Sequence, residues 1–217
     1  MGSRTGIFVT LEGGEGSGKT TQCRRIVEFL RDRGRTVVVT REPGGTDAGE
    51  LIRDVLLHRV AHLSPRAELA LYLASRAQLV DEQIRPSLGS GIDVVCDRFS
   101  DSSTAYQGGA RSLGIGFVEA MNEWATSGLT PDLTFYFDVA PATGLSRREG
   151  RHEGSDELDR IEREDLAFHE EVRRAYLEIA ERHPERFHVI EAGEGEEGVW
   201  KQVQRALEAT LGSRDGA

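Results

Sequence analysis

The 217-residue sequence predicts a three-layer α/β fold, a five-stranded parallel sheet with helices on both faces. Three observations predict it. Five short apolar or β-branched runs, IFVTL (7–11), TVVVT (36–40), IDVVCD (92–97), LTFYFDV (133–139) and FHVIEA (187–192), alternate with stretches of helical pattern, as buried strands joined by helical crossovers do. The first run leads into GGEGSGKT, Gly13 to Thr20, and then into the helix-compatible TQCRRIVEFLRDR. G-x-x-x-x-G-K-[ST] therefore sits in the strand, loop, helix context of a phosphate loop, which makes the fold a P-loop NTPase fold. Neither a repeat nor a linker interrupts the alternation, so residues 1–217 read as a single P-loop domain.

The loop needs its spacing. Glycines let backbone N–H groups turn inward around a polyphosphate, and the start of the next helix adds partial positive charge. Gly13, Gly14, Glu15, Gly16, Ser17, Gly18, Lys19, Thr20 and Thr21 are thus the expected ATP-binding residues. Lys19 reaches the terminal phosphates, and the Thr20 hydroxyl is suited to Mg²⁺.

Gly34 ends the first helix, and the second strand runs into REPGGTDAGE, where Pro43, Gly44 and Gly45 force a loop. From Asp47 a helix carries Leu51, Ile52, Val55 and Leu56. Ser64 and Pro65 form an N-cap and first-turn pair for a long helix whose apolar residues run from Leu69 to Ile84, expected to end before Pro86. The third strand is followed by RFSDSSTAYQGGARSLG, read as a polar, Gly-bearing segment. Phe117 to Trp124 is helical, Gly128 to Pro131 is a break, and the fourth strand gives way to a short helix from Pro141. That helix enters RREGRHEGSDELDR, charged and glycine-rich, expected as an exposed mobile loop. Helical pattern resumes from Ile161 to Arg182, and the acidic turn GEGEEG precedes a closing helix, Val199 to Leu211.

A net charge of −10 argues against a nucleic-acid-binding surface, while arginines beside particular motifs suit a small anionic ligand in a pocket. No apolar run approaches the roughly 20 residues that span a bilayer. The N-terminal stretch lacks a signal-like apolar segment, so a cytoplasmic protein without a membrane partner is expected. Cys23 and Cys96 read as free thiols, and no metal-ligand cluster is visible.

Ligands of an open α/β sheet sit beyond the carboxyl ends of its strands. Here the ends carry the phosphate loop, Arg41-Glu42-Pro43, Asp97-Arg98 and Asp138. Asp97 could hold Mg²⁺ through water, with Arg98 gripping an acceptor phosphate; Asp138 competes for the metal role, and the adjacent arginine favours Asp97.

REPGGT after the second strand, LYLASRAQ in the long helix, DRFSDSSTAYQG after the third strand and LDRIE after the basic loop, in this order, resemble bacterial thymidylate kinases from Gly6 to about Trp200. The resemblance implies ATP-dependent phosphorylation of dTMP to dTDP, with Mg²⁺, in a homodimer. It places Glu15, Glu42, Pro43, Arg53, Tyr72, Arg76, Arg98, Ser103, Tyr106 and Gln107 around dTMP, with Tyr72 at a base-stacking position more usually Phe. Lys19, Arg98, Arg147 and Arg151 become the catalytic residues, the last two in a lid of about 147–159.

Glu15 occupies a loop position where relatives place an arginine, so the cation for the transferred phosphoryl is expected from the lid. Arg147, Arg148 and Arg151 remain alternatives, because Glu149 stands where a third lid arginine is common and the loop before LDRIE is longer. Asp159 and Glu162 either face the nucleotide or pair with Arg160 and Arg163. Two other functions stay open, the same fold acting on another monophosphate or deoxynucleoside, and a nucleotide-regulated binding protein.

Overall fold

The computed structural model describes residues 6–149 and 158–215. Strands β1 (Phe8–Glu12), β2 (Val37–Arg41), β3 (Asp93–Asp97), β4 (Leu133–Asp138) and β5 (Phe187–Glu191) form one parallel sheet in the order β2-β3-β1-β4-β5. Each lies within one residue of its predicted run. Because β-branched and aromatic residues dominate these runs and both faces are covered, burial is nearly continuous along β1, β3 and β4. In register, Asp97 stands opposite Leu11 of β1 and Arg41 of β2, which gathers three strand ends at one place.

Helix α1 (Lys19–Arg31) and helix α9 (Glu196–Asp215) cover one face of the sheet, where Ile26, Leu30, Val203 and Leu207 pack with Val9, Val95 and Phe135. On the other face, α3 (Pro65–Leu79) and its continuation set Leu79, Val80, Ile84 and Leu88 against Phe8, Val94 and Phe99. Beside them, α8 (Leu166–Arg182) brings Tyr176 and Ile179 onto Tyr136 and Phe187. An outer helix, α6 (Ile115–Thr126), packs Val118 with Leu69 and Leu73 of α3. Each fully buried Leu or Phe here contributes about 1.5–3 kcal/mol. Two short helices complete the frame, α2 (Asp47–Asp54) after the REPGG loop and α7 (Pro141–Glu149) after β4.

The closing helix begins three residues before Val199 and α6 two before Phe117, and three further boundaries differ in kind. The long helix does not end before Pro86: α3 passes through a π-helical turn, Val80–Ile84, into α4 (Arg85–Gly89). The wider hydrogen-bond spacing of the π turn lets a residue without an N–H enter the helix. The segment after β3 is helical, α5 (Ser100–Ser103) followed by a π-helical turn, Thr104–Ala110. Its polar side chains turn inward: Ser103, Thr104 and Gln107 are buried, and Asn122 donates to the Ser100 carbonyl and the Thr104 hydroxyl. Apolar periodicity cannot reveal a helix buried through polar groups. Finally, α8 starts at Leu166 rather than Ile161. Asp159 accepts hydrogen bonds from the Ile161 and Glu162 backbone, making a turn, and Asp165 caps the helix by accepting from Phe168 N.

Candidate active site

The loop between β1 and α1 has glycines where the backbone demands them. Gly13, Gly16 and Gly18 have φ of 145°, 64° and 91°, a region that favours glycine. Gly16 also packs so closely on Gly144 of α7 that a β-carbon on either would meet the carbonyl of Gly144 or Glu15 respectively. Ser17 Oγ donates to the Gly14 carbonyl at 2.9 Å, and Lys19 Nζ donates to the Gly13 and Gly14 carbonyls, both at 2.9 Å. Burial, and after it the nearby Arg98 charge, push the Lys19 ammonium below its ordinary pKa. The lysine is therefore desolvated and held over the loop. Thr20 and Thr21 lie in the first turn of α1.

Beside the loop opens a cavity of about 260 Å³. Lys19, Thr20 and Glu15 line it from the loop, Glu42, Pro43 and Arg53 from the β2–α2 region, and Tyr72 and Arg76 from α3. Asp97, Arg98, Ser103, Tyr106 and Gln107 line it from the region after β3. All ten residues expected around dTMP thus border one space, together with Asp159 and Glu162.

Arg98 is positioned at a backbone cost. Its φ is 68°, unusual for a non-glycine residue and costing about 1–3 kcal/mol. Its N–H nevertheless bonds the Leu11 carbonyl at 2.9 Å, and its guanidinium reaches Glu15 at 3.1 Å and Ser102 at 3.3 Å. The guanidinium also lies 5.5 Å from the Tyr106 ring centroid. Glu15 and Arg98 are accordingly an ion pair between the loop and the end of β3.

The two strand-end aspartates have different surroundings. Asp138 is engaged by Arg173 through two hydrogen bonds, 2.7 and 2.8 Å, and accepts from Tyr136 at 3.2 Å. Asp97 borders the cavity with Lys19 and Thr20, and its buried Oδ1 has no hydrogen-bond partner among the described residues. A buried carboxylate oxygen left unmatched in this way suits a cation or its bound water.

Arg76 is 1% exposed and fully engaged. Nε and Nη2 donate to Glu42 Oε2 at 2.9 and 2.6 Å, Nη1 donates to Ser103 and Asn122 at 3.1 and 2.6 Å, and Nη2 also donates to the Phe99 carbonyl at 3.1 Å. All five guanidinium donors are in use. Any bond from Arg76 to a ligand requires the exchange of one of these. Arg53 donates to the Pro43 carbonyl at 2.9 Å, which ties α2 to the REPGG loop.

A loop built for polyphosphate, a lined cavity next to it and an unmatched carboxylate describe a phosphotransferase site. The family model for thymidylate kinase matches residues 11–203. The chain belongs to the thymidylate kinase family. Similar relatives are the thymidylate kinases of an Exiguobacterium species, 47% identical over 92% of each chain, and of Desulfosudis oleivorans, 51% identical over 86% of this chain and 89% of the relative. The crystal structure of thymidylate kinase from Ehrlichia chaffeensis superposes with a TM-score of 0.74 at 32% identity, covering 93% of this chain and 98% of the other.

Among the residues that the thymidylate kinase resemblance assigns to the lid, Arg147 lies in α7 and donates to the Ala192 carbonyl at 3.0 Å. It borders a separate groove of about 220 Å³, shared with Gly16, Ser17, Gly18 and Thr21. Arg151, most of the expected lid and the Arg148 side chain lie outside the described residues.

Reading the thymidylate kinase motifs missed three buried groups. Glu12, at the end of β1, accepts from Phe99 N, Ser102 and Tyr176 at 2.8, 2.6 and 2.8 Å. Burial, reinforced by Asp101, raises its pKa to about 7. Glu68 is fully buried in α3. His169 borders the cavity with its Nε2 buried and without a hydrogen-bond partner among the described residues, and burial lowers its pKa. The signal for Glu12 was present, a carboxylate between an apolar strand and the loop; Glu68 and His169 read as ordinary helix residues.

Proposed function

We propose that this chain transfers the γ-phosphoryl group of ATP to dTMP, yielding dTDP and ADP, with Mg²⁺ as cofactor. The observation that carries this reading is the single cavity bordered both by Lys19, Thr20 and Asp97 and by Tyr72, Ser103, Tyr106 and Gln107. The first set suits the transferring phosphates, and the second offers an aromatic face and polar groups suited to a nucleoside. Phosphoryl transfer to a phosphate needs no strong base, because the acceptor oxygen is already an anion; it needs positioning and charge neutralisation.

In this reading the loop amides and Lys19 cradle the donor phosphates, and Arg98 and Arg53 hold the acceptor phosphate. Thr20 and Asp97 hold Mg²⁺, which screens the charge between the two nucleotides. The unmatched Asp97 Oδ1 fits that role, and the paired Asp138 does not. Arginines of the 147–159 lid supply the remaining cation, and closure of the lid excludes water.

The whole chain acts as one domain, working in the cytoplasm, with no nucleic-acid partner. No helix among the described residues is long and apolar enough to cross a membrane. Pairing of two copies is favoured by the exposed Leu51 of α2 and Phe117 and Trp124 of α6, 72%, 54% and 73% exposed. Light scattering of the protein and of Trp124→Glu tests the homodimer.

A coupled ADP-release assay across dTMP, dUMP, dCMP and thymidine tests the reaction. A clear preference for dTMP supports it. Preference for another acceptor, or ATP binding without dTMP-dependent ADP release, sinks it.

A further inference from the structure

Gln107 borders the cavity while remaining only 1% exposed, and its amide nitrogen donates to Glu68 Oε1 at 2.7 Å. Glu68 is 0% exposed and sits among donors. Arg111 reaches its two oxygens at 3.3 and 3.4 Å, and Arg160 reaches Oε2 at 2.5 Å. Held by two guanidinium groups, this carboxylate accepts hydrogen bonds and does not donate them.

A side-chain amide is ambiguous, since rotation by half a turn exchanges its donor and acceptor ends. Next to Glu68 the ambiguity disappears. Turning the Gln107 carbonyl toward the carboxylate would oppose two acceptors in a buried site and leave the amide nitrogen without its partner, at a cost of about 1–3 kcal/mol. The amide nitrogen is therefore committed to Glu68. One N–H is thus held by Glu68, the carbonyl oxygen is turned away from the carboxylate, and among the described residues that oxygen takes no hydrogen bond from the protein.

We propose that Glu68 is a positioning residue that fixes the hydrogen-bonding sense of Gln107, so that the cavity presents an acceptor to the ring nitrogen of the base. This rests on the reading of the cavity as a dTMP site. Thymine carries an N–H at ring position 3 and satisfies the acceptor. Cytosine carries a lone pair there and opposes it. The discrimination belongs to a carboxylate that never touches the nucleotide.

The test compares kcat/KM for dTMP and dCMP in the full-length protein, in Glu68→Gln and in Gln107→Leu. Glu68→Gln can both donate and accept, so either orientation of Gln107 becomes acceptable. The dTMP-to-dCMP ratio is expected to fall by about tenfold or more, because a site relieved of an obligatory mismatch stops rejecting the wrong base. Loss of both activities in proportion, with the ratio unchanged, overturns the proposal and leaves Glu68 a structural residue.

Gln107→Leu separates the two levels. If its ratio collapses while that of Glu68→Gln does not, Gln107 reads the base without help from Glu68. If dTMP turnover is absent from the parent protein, the functional reading itself fails.

Should Glu68→Gln not fold, the parent protein supplies the readout. The Gln107 side-chain ¹⁵NH₂ resonances, identified by their loss in Gln107→Leu, should show one proton shifted downfield by the carboxylate that stays downfield when dTMP is added. Loss of that downfield shift on addition of dTMP shows the nitrogen released from Glu68 toward the ligand and overturns the proposal.

Discussion

Arg76 and Glu42 form an ion pair in the wall of the cavity, 1% and 4% exposed, with two arginine N–H groups on one carboxylate oxygen at 2.9 and 2.6 Å. The other oxygen, Glu42 Oε1, is buried without a partner among the described residues. Arg76 thus holds the β2 end to α3 and to the segment after β3, through Ser103, Asn122 and Phe99.

Removing one partner of such a pair leaves an uncompensated buried charge. Arg76→Ala is expected to lower unfolding free energy by about 3–5 kcal/mol, as well as to weaken dTMP binding. The double variant Arg76→Ala/Glu42→Gln should recover part of the lost stability. Urea unfolding decides this: a loss under about 1 kcal/mol in the single variant would mean that the pair holds no structure together.

The two strand-end aspartates should respond differently. Asp97→Asn is expected to reduce turnover about 10–100-fold and raise the Mg²⁺ concentration needed for half-maximal rate, the range typical of groups that hold a metal's surroundings. Asp138→Asn, which loses part of a pair with Arg173, should leave the Mg²⁺ requirement unchanged. Magnesium titrations of steady-state turnover check both; an equal shift in the two variants would contradict the assignment of Asp97.

Glu12 makes stability depend on pH. Its pKa is raised from 4.5 to about 7 in the folded chain, so the folded state holds the proton more tightly than the unfolded state. The resulting stabilisation is full below pH 4.5 and is lost as the pH rises toward and through 7. Between about pH 5 and 8 this single group should cost the parent protein roughly 2–3 kcal/mol. Glu12→Gln carries no such proton, so denaturation midpoints at the two pH values should converge for it; a parallel fall in both proteins would remove Glu12 as the cause.

The lid reading separates two arginines. Arg151→Ala is expected to cut kcat by about 10³-fold or more with little change in dTMP affinity, the behaviour of an arginine acting on the transition state. Arg147, already bonded to the Ala192 carbonyl and bordering the groove shared with Gly16, Ser17 and Gly18, should affect ATP binding more than kcat. Single-turnover kinetics with separately measured dTMP affinity distinguish the two, and an effect of Arg151→Ala on affinity alone would show that the lid is not catalytic.

Much of the fold could be read from particular residues. The five apolar runs gave strands within a residue of their ends because side chains buried on both faces leave an uninterrupted apolar signature. The phosphate loop was legible because its chemistry restricts residue types locally, glycines at positive φ and a lysine and threonine at fixed spacing. The helix from Ser100 to Ala110 was not, since Ser103, Thr104 and Gln107 are buried through hydrogen bonds to one another's neighbours rather than through apolar contact.

The strands and the phosphate-binding loop were legible in the sequence because each depends on patterns spanning a few to some twenty residues, whereas the side chains expected around dTMP came from the resemblance over the whole chain. Tertiary structure alone decided what those side chains do when they meet. It left Asp97 with a free buried oxygen while pairing Asp138 with Arg173, and it spent every donor of Arg76 on the protein. It also set Glu68, 39 residues away in sequence, behind Gln107. Whether a polar group is satisfied depends on partners brought together by folding, and that is a property of distance in space that no local pattern carries.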